Sequence, residues 1–141
     1  MHQKFPYGKR DHYPHMKPAD VEIWNRFIDK YPKAYDEVSY DFGMGEGPGF
    51  STLVSPETGG DDLELYLKKA DVLGFKGREV DVIEVRPRAD MATIGNACCY
   101  RKMWHAKFCD RQICQSVIIT DSLRANMAFL CKEMGVKIIV V

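Results

Sequence analysis

The sequence has no surplus charge of either sign: 20 Lys and Arg balance 20 Asp and Glu over 141 residues. That excludes a polycation gripping nucleic acid by bulk charge, so any such site must be local. Long apolar runs are missing too. The C-terminal Ile138–Val141 run is far short of the roughly 20 residues a membrane-spanning helix needs. Met1–Tyr7 contains no apolar secretory region, so no signal peptide and no membrane partner are expected. The 5 cysteines are an odd number, where a secreted disulfide framework wants an even one. Reduced thiols are expected. There is no internal repeat, and Asp36–Glu64 has eight acids without a Lys or Arg, a run that reads as a solvated acidic face.

What is present suffices for one core, with 45% hydrophobic and 28% charged residues. Residues 1–18 hold three prolines, three histidines and four Lys or Arg with no apolar period, and read as an extended basic and aromatic arm. Such an arm is expected to be held by the protein's own surface, a second copy in a homo-oligomer or a larger assembly. Residues 19–141 read as the folded domain. A helix starts at Ala19 or Asp20, with Val21, Trp24, Phe27, Ile28 and Tyr31 at helical spacing, and ends before Pro32. Glu37–Met44 reads as a strand alternating Val38, Tyr40 and Phe42, followed by a loop with a short strand at Phe50–Val54. Leu65–Leu73 and Glu79–Val85 form a hairpin around Gly74–Gly77. Asp90 caps a helix to about His105, Ser116–Thr120 is a buried strand, and Asp121 or Ser122 caps a last helix ending at Gly135. Val136–Val141 reads as a strand buried on both faces. The fold class is α/β, a mixed sheet flanked by helices.

Strand alternation puts Glu84 and Arg86 on one face of the second hairpin strand, and a bend brings Asp71 of the first towards Glu84. Two carboxylates beside a cation suit a hard ion such as Mg²⁺ or Mn²⁺. Surface ion pairing across the hairpin is the plain alternative.

Residues 64–141 resemble the core of the PD-(D/E)XK nuclease superfamily. The resemblance rests on Ala70-Asp71, the Gly-containing hairpin, Glu84-Val85-Arg86, Ala89, Ile94-Gly95-Asn96 with Tyr100, and the closing strand–helix–strand. It implies a restriction-endonuclease-like fold and metal-dependent hydrolysis of DNA. Asp71, Glu84 and the Val85 carbonyl would hold the metal, with Asn96 and Tyr100 on the substrate side. Glu22 would stand for an acid that some members carry on the first helix. Two departures are Arg86 for the family's Lys and Asn96 for its Gln. Arginine neutralises phosphate charge but cannot act as a base, so Arg86 would be either a catalytic cation supporting a metal-activated hydroxide or a strut paired with Glu84, or a displaced Lys69 or Lys102 could substitute. The competing expectation is a catalytically silent copy serving as a structural subunit, for example in a bacteriophage particle. The location would be cytoplasmic for the enzyme and virion for the subunit.

Arg86, Arg88, Arg101, Lys102, Lys107 and Arg111, with Tyr100, Trp104 and His105, could track DNA phosphates, although the period puts both aromatics in the core. Cys98, Cys99, His105, Cys109 and Cys114 are a weaker candidate zinc set, lacking paired short knuckles.

Overall fold

The structure is a computed structural model and describes residues 3–43, 69–108 and 113–141. The Phe50–Val54 strand, most of the acidic run, the start of the Leu65 strand, Cys109 and Arg111 lie outside those residues. The elements are β1 (Phe5–Pro6), α1 (Pro18–Lys30), β2 (Glu37–Gly43), β3 (Lys69–Lys76), β4 (Glu79–Arg86), α2 (Met91–Phe108), β5 (Ile113–Thr120), α3 (Met127–Glu133) and β6 (Val136–Val140). They form one mixed sheet of order β1-β2-β3-β4-β5-β6. The first four strands pair antiparallel, whereas β4, β5 and β6 pair parallel. Parallel neighbours need a crossover, and α2 and α3 supply the two.

Helices cover both faces. On one side, Ile23, Trp24, Phe27 and Ile28 of α1 pack on Val38, Tyr40, Val72, Ile83, Val85, Val117 and Ile119. Trp24 is wholly buried, stacks on Phe27 and donates its indole N–H to the Tyr40 hydroxyl at 3.2 Å. On the other side, Tyr100 and Trp104 of α2 cover Phe42, Leu73, Val80 and Val82. The two faces of β4 thus divide as its alternation requires.

β2 does not keep its alternation. Tyr40 packs under α1 but Phe42, two residues on, packs on Trp104 of α2 with ring centroids 5.2 Å apart. Between them Asp41 has φ 53°, a left-handed kink that turns the strand over. β3 changes face with it: Val72 lies under α1 and Ala70 under α2. Asp71 stands at that crossing.

The hairpin turn is shorter than the sequence suggests. Gly74, Phe75 and Lys76 continue β3, and Gly77 alone takes a positive φ, 57°, at the turn. Gly74 stays in the strand because the Tyr35 ring lies against its backbone, 2.5 Å from where a β-carbon would stand.

The start of α3 also differs. Neither Asp121 nor Ser122 caps it; it begins at Met127 after Asn126 with φ 68°, because the Asp121 carboxylate is engaged elsewhere. β6 is an edge strand in which Val136 is buried while Lys137 and Val140 are exposed, not the doubly buried strand expected. The N-terminal segment lies on the domain itself. β1 pairs with β2, and Tyr13 is 2% exposed within the α1 core, its hydroxyl donating to Asn25 Oδ1 at 2.6 Å.

Candidate functional site

The β3–β4 ladder runs from Lys76↔Glu79 to Val72↔Ile83 and stops, so the next opposed positions are Asp71 and Glu84. There, side chains take over from the ladder. The Val85 amide donates to Asp71 Oδ2 at 2.9 Å, where a strand carbonyl would otherwise stand. β4 meanwhile stays paired with β5 as far as Arg86↔Thr120. The acids therefore sit where the β3–β4 ladder ends, within electrostatic reach of Asp20 in the first turn of α1 and of Tyr100 in α2.

Glu84 is 2% exposed, and its Oε1 has no hydrogen-bond partner among the described residues. Burial, then the nearby Asp71 charge, pushes its carboxyl up to about 8. Arg86 and the Asp71 amide pull the other way without prevailing. Asp71 is pushed up to about 6, chiefly by burial, against the Val85 hydrogen bond and the Arg86 charge. Tyr100 of α2, 7% exposed, is pushed up to about 12 by burial and by the charges of Glu84 and Asp71.

Arg86 lies close enough to stabilise both carboxylates electrostatically but does not bridge them. Among the described residues the ion pairs within 4.0 Å are Lys9–Asp29 and His15–Asp41. The guanidinium instead lines a cavity of about 350 Å³ together with Lys17, Asp20, Arg88, Asp90, Thr93 and Asn96. Asp90 caps α2 there, accepting from the Thr93 amide at 3.1 Å.

The acid that α1 contributes is Asp20 rather than Glu22. Asp20 is 9% exposed and its charge acts on both Asp71 and Glu84, whereas Glu22 faces solvent. The signal was present in the sequence, since Asp20 precedes Ile23, Trp24 and Phe27 at i+3, i+4 and i+7 and so shares their buried face.

The other expected substrate residues divide. Arg88 and Asn96 line the cavity with Arg86, while Arg101 and Lys102 line a separate pocket with His105 and Cys114. Arg101 also donates to the Gly135 carbonyl at 3.3 Å. Cys98, Cys99, Cys114 and Cys131 are free thiols, and no three His, Cys, Asp or Glu among the described residues converge on a common point. Among the described residues of the candidate zinc set, Cys98 packs against the core around Met127 and Cys131 while Cys114 lies on β5. No helix among the described residues is long and apolar enough to cross a membrane.

The EndoMS–dsDNA complex structure matches 94% of this chain and 49% of its own, at 14% identity and a TM-score of 0.52. The fold is shared with EndoMS. A repair endonuclease from Pyrococcus abyssi matches 52% of this chain and 32% of its own, at 19% identity and a TM-score of 0.45. The chain spans half or less of the length of either. No protein-family model and no curated protein matches the sequence.

Proposed function

We propose that the domain hydrolyses DNA phosphodiester bonds at Asp71 and Glu84 with Mg²⁺ or Mn²⁺. The observation that carries this reading is the Glu84 carboxylate, a buried acid with an unsatisfied oxygen beside a second acid, two residues before the Arg86 that lines the cleft. An orphaned buried acceptor costs about 1–3 kcal/mol, and a divalent cation is a partner that removes that cost. The donors fit such an ion. Mg²⁺ takes one or two carboxylates and keeps its waters, so Asp71, Glu84 and the Val85 carbonyl would hold it without a third acid. When bound, the ion supplies polarisation of the phosphodiester and an acidified attacking water.

The chain's own residues do the remainder. Arg86, always charged and planar, neutralises the charge that develops on the phosphate oxygens. Its guanidinium cannot take a proton from water, so Arg86 does not supply the general base a lysine would provide. Asn96 and Arg88 hold the strand along the cleft, and the Tyr100 phenol keeps its proton within reach of the charge on the two acids. DNA is the substrate preferred here because the endonuclease of similar fold is described in complex with dsDNA.

The test is nicking of a plasmid in Mn²⁺ by the wild-type chain, Asp71→Asn and Glu84→Gln. Cleavage by the wild type alone, abolished by chelation, supports the reading; equal cleavage by all three, or none, overturns it. The silent structural copy, for instance in a phage particle, is favoured by Arg86 at the lysine position. It predicts no cleavage and a stable homo-oligomer or larger assembly by native mass.

A further inference from the structure

The turn after β4 is pinned more firmly than a surface connection requires. Arg88 has φ 49°, the left-handed conformation that disfavours a residue with a β-carbon. Its amide donates to Asp121 Oδ1 at 2.8 Å, and the next amide, of Ala89, donates to the Thr120 hydroxyl at 3.1 Å. That hydroxyl in turn donates to the Ser122 carbonyl at 3.1 Å, and buried Ala89 bridges to Leu123. Glycine or asparagine would occupy the position with less strain. The core does not ask for an arginine either, since the Arg88 side chain is exposed and lines the cleft. Strain held in place by its surroundings at the mouth of a site points to a role for the side chain it presents.

The cleft chemistry suggests that role. Lys17 comes from the segment before α1, Arg86 from the end of β4 and Arg88 from the pinned turn. Against them stand Asp90, committed to the α2 cap, and Asp20, which acts on the Asp71–Glu84 pair. Three cations around about 350 Å³ give room and charge for a phosphate with its sugar. An arginine fork binds phosphate bidentately, and holding its backbone in place beforehand lowers the cost of ordering it on binding.

We propose that this cleft binds the phosphate adjoining the scissile one on a DNA strand, and that Asp121 is a positioning residue that presents Arg88 to it. The inference rests on the nuclease reading for where the strand lies. The experiment measures binding of a labelled DNA duplex to the full chain without metal, across a salt series. Arg88→Asn suits the left-handed backbone but removes the cation. It should weaken binding on the order of tenfold and reduce the slope of log K against log salt by about 0.9, one phosphate contact. Asp121→Ala, which keeps Arg88, should weaken binding in the same direction. Asp121→Asn retains the acceptor for the Arg88 amide and should restore it, an outcome that charge loss alone would not give.

Wild-type affinity and slope in Arg88→Asn overturn the site, as does a wild-type chain that binds no duplex. Wild-type affinity in Asp121→Ala, or equal losses in Asp121→Ala and Asp121→Asn, overturn the positioning role. A chain that binds as described yet never nicks DNA ends the nuclease reading and the scissile register with it, and leaves the cleft as a DNA-phosphate site presented by Asp121.

Discussion

Glu84 and Asp71 hold their protons more tightly in the fold than in the unfolded chain, chiefly because burial penalises their charge, and secondarily because Asp71 repels the Glu84 charge while Asp20 and Asp41 repel that of Asp71. Between the ordinary carboxylate values near 4 and their raised ones, the native state therefore binds more protons than the unfolded state. Stability must then fall as pH rises through that window, by up to about 1.4 kcal/mol per pH unit for each proton. Urea midpoints of the metal-free protein should drop from pH 5 to pH 8. In Glu84→Gln, which keeps the shape and cannot ionise, the drop should be smaller and the protein more stable than wild type at pH 8. Added Mg²⁺ or Mn²⁺ should oppose the drop in the wild type, because a cation favours the ionised acids that burial disfavours. A midpoint flat from pH 5 to pH 8 would show that the pair titrates normally and is open to water.

The elements that place these acids obey two kinds of rule, and only one of them is legible in a sequence. Gly74 illustrates the other. Its strand position is conditioned by the Tyr35 ring, whose hydroxyl is anchored on Asp81 Oδ2 at 2.7 Å and which cannot move freely aside. Gly74→Ala should cost about 1–3 kcal/mol, the range for overpacking a tight contact, and Tyr35→Leu in the same chain should recover part of it. Denaturant midpoints of the two single variants and the double variant would measure that coupling. A sequence shows Gly74 and Gly77 as a turn because it cannot show a ring from a distant loop against a strand. Periodicity, by contrast, marks α1 from Trp24, Phe27 and Ile28, and alternation assigns the two faces of β4 residue by residue. It fails on β2, where the unusual backbone of Asp41 rotates Phe42 away from Tyr40. It fails again at Asp121, whose carboxylate serves the Arg88 amide across the sheet end instead of the helix that follows it. Asp71 and Glu84 were findable from register, whereas Asp20 required weighing an acid on an apolar helix face.

On the scale of the whole molecule, the N-terminal segment joins the core to the cleft. Tyr13 is buried between α1 and β2, meeting Tyr40 edge-on with centroids 5.3 Å apart, and its hydroxyl is held by Asn25. Four residues later Lys17 lines the cavity, and Asp20 follows in the first turn of α1. A segment that was merely draped over the surface could be removed at little cost, but this one fills the core and sets where α1 begins. Tyr13→Ala should therefore destabilise the domain by about 3 kcal/mol or more. Tyr13→Phe, which keeps the ring and loses the 2.6 Å hydrogen bond, should cost nearer 1 kcal/mol. Because the segment packs with the rest of the α1 core, protease cleavage within residues 9–17 should track global unfolding and slow in proportion to stability. Rapid native-state cleavage there, with the remainder still folded and binding DNA at full strength, would make the segment dispensable and remove Lys17 from the cleft's function.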